Sequence, residues 1–335
     1  MKKLFIMGLA AMGLALTACN SDETVEMAKG KAIGFSSFVD KSTRATDVTL
    51  ANLNSMEVYG WRSDNQGDKQ IFDAQQVTVD QSGKGTYSPL QYWEANYTYN
   101  FEAIAPKAGV KGVQFAAAKA GGTITFDNDA QTDLIYAKAA EKKMDANITG
   151  DPSEVNFTFQ HQLARVKFTF KNTFPENAAA KISVNNVKIT NAYKNGTITP
   201  AATDAKWNVT NVTNNTFEVS FANSATKTPS NLVASTGVGE TDHMYLIPTA
   251  KVESYEVTFT VTLDQNGVTT DYNHRVTIET TQERGKSYNY VAEIGASNIN
   301  PDSQLYPIKF TATVDTWGEN WTDKAFDVKK PATSI

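Results

Sequence analysis

The side chains of this chain that could carry out acid–base, nucleophilic or metal chemistry are few and scattered. His161, His243 and His274 lie far apart and lack the short spacing that is usual for zinc ligands. The sequence holds no Gly-x-Ser-x-Gly nucleophile motif, and no two acidic residues can be paired as the acid and base of a glycosidase. We therefore expect no enzyme activity, no metal site and no cofactor.

The lone cysteine directly follows the only long apolar run of the chain. Two lysines come first, and residues 4–18 are then apolar apart from glycines and Thr17. This run is shorter than the ~20 residues of a membrane-spanning helix, so it predicts a signal peptide over residues 1–18. The sequence Leu-Thr-Ala-Cys resembles a bacterial lipobox, which implies cleavage between Ala18 and Cys19 and a lipid anchor on Cys19. The alternative is an ordinary signal peptide followed by a chance cysteine.

Two acidic residues, Asp22 and Glu23, stand just behind the proposed anchor. They resemble the export tag of surface lipoproteins in Bacteroides-type bacteria, and a solvated acidic linker is the alternative. Residues 19–31 are polar and predict a lipidated tether. The location implied by these resemblances is the surface of the outer membrane.

The composition indicates a β-rich protein with two domains. Aromatic residues make up 10% of the chain, and short alternating segments separated by turn residues favour β-sandwiches. The 335 residues leave about 315 after signal removal, which suits two domains of the usual size. The net charge is −5, and no basic patch interleaved with aromatic residues occurs, so nucleic acid is not an expected partner.

The first half of the chain predicts one β-sandwich over residues 32–153. Its first strand covers residues 32–39, and a polar loop follows at residues 40–47, where proteolytic nicking is favoured. The segment from Tyr97 to Ala105 alternates strictly and predicts a strand with one core-facing side. Gly150-Asp151-Pro152 marks the predicted junction.

The second half predicts another β-sandwich over residues 154–295. It opens with a long strand that bends near His161, and the dipeptides Asn195-Gly196 and Asn266-Gly267 predict hairpin turns. The tail at residues 296–335 contains a strand in which Ile308, Phe310, Ala312 and Val314 alternate with polar residues.

Several segments together resemble the fimbrillin family, the lipoprotein subunits of type V pili in Bacteroides-type bacteria. The matching pieces span nearly the whole chain in the order of the family. They are the lipobox at Cys19, Ile33-Gly34-Phe35, Ser42-Thr43-Arg44-Ala45, Tyr87-Ser88-Pro89 with Tyr92-Trp93, Tyr99-Asn100-Phe101 with Ala105-Pro106, residues 133–137, residues 157–166, Leu246-Ile247-Pro248 and residues 285–290.

The resemblance implies two transthyretin-like β-sandwich domains in tandem and a route of assembly. A lipidated precursor reaches the outer membrane, and a secreted arginine-specific protease cuts the bond between Arg44 and Ala45. The first strand, with Ile33, Phe35 and Phe38, then leaves a groove that a strand from the next pilin subunit fills. The resulting head-to-tail polymer is a fimbrium, which adheres to a host or bacterial surface ligand.

Three interpretations stay open at this stage. The donor strand is either Phe310, Ala312 and Val314 or Phe326 and Val328, and the first set also suits the last strand of the second domain. If it is that last strand, the chain is a tip or accessory subunit, or a surface lipoprotein that binds glycan or protein without polymerising. The aromatic residues at 92, 93, 97 and 99 could stack on sugar, although core packing is the commoner use of such residues.

Overall fold

The computed structural model describes residues 30–39, 47–146, 152–209, 217–218, 231–233, 238–303 and 308–317. Within these ranges the chain consists of 22 β-strands and three short 3₁₀ turns, with no α-helix. The prediction of an all-β fold is therefore confirmed.

The first ten strands run through residue 161. They are β1 (Phe35–Val39), β2 (Ser55–Asp64), β3 (Gly67–Val79), β4 (Lys84–Thr86), β5 (Thr98–Ala105), β6 (Val113–Ala116), β7 (Thr123–Asp127), β8 (Ile135–Lys138), β9 (Lys142–Lys143) and β10 (Val155–His161).

The remaining strands begin at residue 164. They are β11 (Ala164–Asn172), β12 (Ala180–Thr190), β13 (Asn195–Ile198), β14 (Asn208–Val209), β15 (Phe217–Glu218), β16 (Asn231–Val233), β17 (Val238–Glu240), β18 (Met244–Leu246), β19 (Val252–Gln265), β20 (Val268–Thr281), β21 (Lys286–Ile294) and β22 (Phe310–Thr316). The 3₁₀ turns cover Asn128–Ala130, Glu176–Ala178 and Pro301–Ser303.

The first sheet closes on itself. Its strand order is β2-β3-β4-β1-β10-β8-β5-β9, and β2 also pairs with β5. The inward side chains of this closed sheet form one hydrophobic core that includes Phe35, Phe72, Phe101 and Phe157. Alternation along each strand places every second residue in this core, which is why the period-two pattern of the sequence finds these strands.

Strand β5 is buried on both faces, whereas its alternating pattern predicts burial on one face only. Tyr99, Phe101, Ala103 and Ala105 pack in the interior of the first sheet, as predicted. The opposite side carries Ile104 and Glu102, which are both at most 1% exposed. The outer face of β5 is covered because a second layer of strands packs over it.

The Glu102 carboxylate is satisfied by three donors. It accepts hydrogen bonds from the backbone N–H groups of Ala118 at 3.0 Å and Gly122 at 2.8 Å and from the Tyr136 hydroxyl at 2.8 Å. Burial nevertheless raises the pKa of Glu102 above its ordinary value, because the desolvation of the charge outweighs these hydrogen bonds.

We expect Glu102→Gln to lower the free energy of unfolding by about 2 kcal/mol, since the amide NH₂ group would face donors and leave one of them unpaired. Tyr136→Phe, which removes a single hydroxyl from the same group, should cost about 1 kcal/mol. Urea denaturation of the three proteins measures both values. Equal stability of Glu102→Gln and the wild type would contradict the structure at this position.

The covering layer is a four-stranded sheet in the order β14-β13-β7-β6. Its strand β13 starts at Asn195, so the predicted hairpin turn at Asn195-Gly196 is wrong: both residues pair with β7. Gly196 is needed there for close approach, because a Cβ atom at this position would lie 2.9 Å from Cε3 of Trp207.

Two five-stranded sheets form the rest of the described chain. In one of them, β11 pairs with β17, β18 and β21, and β22 pairs with β21. In the other, β12 pairs with β15, β16 and β19, and β20 pairs with β19. Their facing sides enclose a second hydrophobic core that contains Phe168, Phe170, Phe259 and Tyr290. The predicted hairpin at Asn266-Gly267 is confirmed, with both residues at positive φ (56° and 82°) between β19 and β20.

Sheet membership does not follow the predicted division at residues 153/154. Strand β10 pairs with β1 and β8 of the first sheet, and β13 pairs with β7. A third core joins the closed sheet, the four-stranded layer and residues Tyr245, Ile247 and Trp317. The division into two tandem domains stays a prediction, and no single point along the chain separates the sheets, because the four-stranded sheet combines β6 and β7 with β13 and β14.

Candidate functional site

Strand β1 lies inside the closed sheet with both of its backbone edges paired. It runs parallel to β10 from Phe35 opposite Val155 to Val39 opposite Phe159. On its other edge it pairs antiparallel with β4, and the N–H of Ser37 donates to the carbonyl of Gly83 at 2.7 Å. Removing β1 would therefore break the closed sheet between β4 and β10.

The residues just before β1 are also hydrogen-bonded to the segment 87–93. The N–H of Ile33 donates to the carbonyl of Gln91 at 2.8 Å, and the N–H of Trp93 donates to the carbonyl of Lys31 at 2.9 Å. The Tyr87 hydroxyl donates to the carbonyl of Ile33 at 2.8 Å. Burial raises the pKa of Tyr87, which keeps this hydroxyl a donor at neutral pH.

The side chain of Phe35 occupies the centre of the groove that holds β1. It is completely buried, and its ring lies against four others. The centroid distances are 5.2 Å to Phe72, 5.3 Å to Tyr87, 5.8 Å to Phe101 and 5.7 Å to Phe157. Loss of β1 would expose this aromatic pocket to water.

Of the three residues predicted to fill the groove, the structure buries two. Ile33 and Phe35 are at most 1% exposed, whereas Phe38 is 49% exposed. The expectation for Phe38 is wrong because side chains alternate along a strand, so Phe38 points outward and its neighbours Ser37 and Val39 point inward.

Several predicted site residues lie outside the described residues. These are Cys19 with Ala18, the acidic pair Asp22 and Glu23, the bond between Arg44 and Ala45, and the tail residues Phe326 and Val328. Lipidation, export and proteolytic processing stay predictions.

Asp47 and Val48, the first described residues after position 46, are anchored in the fold. The Asp47 side chain is fully buried and forms an ion pair with Arg165. It also accepts a hydrogen bond from the Tyr245 hydroxyl at 2.9 Å and lies 3.0 Å from Nε2 of His243. The next residue, Val48, donates its N–H to the Asp133 carboxylate at 2.8 Å.

This anchor contradicts one part of the sequence interpretation. The polar run at residues 40–47 predicts an exposed loop, but its last residue, Asp47, is buried by partners that are 118 and 198 residues away. No local pattern could identify these partners, because an isolated acid in a polar run is the ordinary composition of a loop.

Trp317 completes the cluster around this anchor. Its ring stacks on His161 at 4.3 Å and on Tyr245 at 5.6 Å, and the Arg165 guanidinium lies 5.4 Å from the ring centroid. His161 in turn pairs with the buried Asp133 through Nδ1 at 2.9 Å. The predicted structural role of His161 fits this position, and the cluster fixes the end of β22 beside Asp47.

Strand β22 carries the first set of candidate donor residues. It pairs antiparallel with β21 and is the outermost of the described strands of its sheet. Phe310 is partly buried against Phe168 and Phe259, while Val314 is 51% exposed. In this structure the candidate donor strand is thus paired within its own subunit.

The four aromatic residues considered for sugar stacking do not form one exposed surface. Trp93 and Tyr99 are at most 2% exposed and pack edge-to-face in the core at 4.7 Å. Tyr97 is partly buried against the same core, and only Tyr92, at 47%, is exposed. The core interpretation of this aromatic group is confirmed.

Two further features concern only the residues that the structure describes. Across these ranges, no group of three or more His, Cys, Asp or Glu side chains is placed to hold a metal ion. The same ranges contain no helix with the length and apolar character that a bilayer crossing needs.

The sequence profile of fimbrillin-like proteins matches residues 43–329, which is most of the chain. The chain belongs to the fimbrillin-like family. The match begins just before Arg44 and runs past β22, so this fimbrillin-like chain is related to its family through both of its halves.

Solved structures share the fold of this fimbrillin-like chain. A fimbrial protein from Bacteroides vulgatus is 14% identical, with a TM-score of 0.62 over 86% of this chain and 99% of that one. A candidate cell adhesion protein from Bacteroides ovatus is also 14% identical, with a TM-score of 0.51 over 86% and 98% of the two chains. No curated protein matches the sequence.

Proposed function

We propose that this chain is a structural and adhesive subunit of a surface pilus, made as a lipoprotein precursor. Cys19 carries the acyl anchor, and an arginine-specific protease cuts between Arg44 and Ala45. The first strand then leaves, and a strand from the next subunit takes its place. Membership of the fimbrillin-like family supports a pilus or adhesin subunit rather than an enzyme.

The single observation that carries this proposal is the position of β1. It is a short strand with both edges paired in a closed sheet, and Arg44 follows it five residues later in the sequence. A groove with two free edges and an empty aromatic pocket can accept an added strand. The backbone of the added strand forms hydrogen bonds with both edges, and every second side chain fills the pocket.

A second candidate function is a tip adhesin or a surface lipoprotein that does not polymerise. The pairing of β22 with its own β21 favours it, since a strand that is paired within its own subunit is not free to be donated to another. A stand-alone lipoprotein would retain β1, and neither it nor a tip adhesin would polymerise by itself.

We expect Arg44→Ala to fold normally but to form at least tenfold less polymer than the wild type, because the first strand stays attached. Arg44→Lys preserves the charge but is not a site for an arginine-specific protease, so it should behave like Arg44→Ala. Arg62→Lys, on β2, is the matched control and should polymerise normally.

Size-exclusion chromatography and electrophoresis without heating measure the polymer, and intact mass measures the cut. Abundant polymer from Arg44→Ala would exclude processing at this bond. A wild-type protein that is cut at Arg44 and stays monomeric would favour the tip or stand-alone candidate.

A further inference from the structure

An open cleft lies beside the end of β22, where this strand meets the start of β21. Its volume is about 450 Å³, which is within the usual range of sites for small ligands. It is lined by the end of β10, the connection from β13 to β14, the connection from β18 to β19, the turn from β20 into β21 and the end of β22. The cleft shares none of its lining residues with the aromatic pocket that holds Phe35.

Three cationic side chains line this cleft without a carboxylate partner. They are Lys206, Arg284 and Lys286, and none of them forms an ion pair in the part of the chain that the structure describes. Arg284 is half-buried, and burial lowers the pKa of its guanidinium, because no carboxylate compensates for the lost water. A ligand carboxylate would supply this compensation.

The Arg284 guanidinium is held in place before any ligand binds. It donates from Nη1 to Oε1 of the fully buried Gln162 at 2.7 Å. The Gln162 side chain donates from Nε2 to the carbonyl of Gln160 at 2.7 Å, and its own carbonyl accepts from Nε1 of Trp207 at 2.7 Å. A group that is positioned in advance loses little conformational entropy when a ligand binds.

Among the described residues, two ring nitrogens beside the cleft lack a hydrogen-bond partner. They are Nε2 of His161 and Nε1 of Trp317, whose side chains are buried and line the cleft. His161 uses its Nδ1 atom for Asp133 at 2.9 Å, so Nε2 is the ring atom that remains for a ligand. Buried polar atoms are almost always paired, so two unpaired ones at the same cleft indicate a place for the polar groups of a ligand.

We infer that this cleft binds a sugar that carries a carboxylate group, a hexuronate. The sugar carboxylate would pair with the cations at positions 206, 284 and 286, and its hydroxyl groups would donate to Asp204 and Glu283. The inference deepens the adhesive part of the proposed function and rests on it. It also requires β22 in the described place, because Trp317 directly follows that strand.

The mixture of charges in the cleft favours a sugar over an acidic peptide. Asp204 and Glu283 are exposed and line the same cleft as the cations, so they would repel a ligand with several negative charges. A hexuronate has a single carboxylate, and each of its hydroxyl groups can both donate and accept a hydrogen bond. Ala205 and Pro248 add apolar surface for the C–H groups of the ring.

Calorimetric titration of the uncut full-length chain in detergent tests the inference. Methyl glucuronide and methyl glucoside are the matched probes, because they differ only at C6, which is a carboxylate in the first and a hydroxymethyl group in the second. We expect the glucuronide to bind at least tenfold more tightly than the glucoside. Added salt should weaken the binding of the glucuronide, since salt screens the attraction between charges.

Substitutions in the cleft should weaken the binding of the glucuronide. We expect a loss of at least tenfold for Arg284→Gln and a severalfold loss for Lys206→Gln, which changes an exposed side chain. Trp317→Phe keeps an aromatic ring but removes the Nε1–H group, and it should also weaken binding severalfold. Arg275→Gln is the matched control, because this side chain is 73% exposed and pairs with Glu256, and it should bind like the wild type.

Urea denaturation of each variant distinguishes a lost contact from a loss of folding. Equal binding of the two probes, or no binding of either, overturns the inference. Binding that persists in both Arg284→Gln and Lys206→Gln also overturns it, because the ligand would then lie elsewhere. A tetraglutamate peptide that binds more tightly than the glucuronide overturns the sugar and assigns the cleft to an acidic peptide.

The outcomes separate the inference from the proposed function. A chain that is cut at Arg44 and polymerises but does not bind the glucuronide overturns the sugar site and leaves the pilus function standing. A chain that binds the glucuronide through Arg284 but never polymerises supports the sugar site and overturns the polymer.

Discussion

Phe35→Ala should lower the free energy of unfolding of the uncut precursor by about 3–5 kcal/mol, the usual cost of removing a buried phenylalanine. The ring is fully buried and lies between 5.2 and 5.8 Å from four other rings, which a short side chain cannot reach. The closed sheet around it cannot collapse freely, because β1 is hydrogen-bonded on both edges.

Phe38→Ala provides the matched control on the same strand. This ring is 49% exposed, so we expect a loss of about 1 kcal/mol or less. Urea denaturation of the two variants as uncut precursors measures the difference. If both substitutions cost the same, β1 is not seated in the groove as described.

The same pair of variants distinguishes precursor from polymer. After β1 has been released, position 35 no longer belongs to the folded subunit, so the polymer of Phe35→Ala should be as stable as wild-type polymer. A polymer that is destabilised by Phe35→Ala would show that β1 remains in place.

Asp47→Ala should cost about 3–5 kcal/mol, because it leaves the Arg165 guanidinium buried without its carboxylate. Arg165 is 1% exposed, and the Asp47 carboxylate also receives the Tyr245 hydroxyl and lies beside His243. The loss should be smaller when Arg165→Met is added, since the double variant no longer contains a buried guanidinium that has lost its carboxylate.

The ion pair between Arg62 and Glu94 is the matched comparison for this prediction. The Glu94 side chain is 53% exposed, so Glu94→Gln should change the free energy of unfolding by about 1 kcal/mol or less. Thermal and urea denaturation measure both. A loss for Asp47→Ala as small as that for Glu94→Gln would argue against the buried anchor.

Most of the strands could be predicted from the sequence because a half-buried strand alternates with a period of two. The hairpin at Asn266-Gly267 could also be predicted from the sequence, because asparagine and glycine favour the positive φ that its turn requires. Strand β5 shows the limit of this reasoning, since an alternating pattern cannot reveal that a second sheet covers its outer face.

The errors also have physical causes that the structure identifies. Phe38 looks like a core residue by type, yet the phase of the alternation places it outward. Asn195-Gly196 has the composition of a turn, yet Gly196 is required by the Trp207 ring that lies against its backbone. Asp47 could not be predicted, because its role depends on contacts with residues more than a hundred positions away.

The closed first sheet limits the number of neighbours that the proposed subunit can accept. A ring of strands offers no site for lateral addition, and the release of β1 creates a single socket bounded by β4 and β10. One incoming strand fills that socket and restores the ring, so each subunit accepts one neighbour through it. Growth by this route is linear, and a filament built this way does not branch.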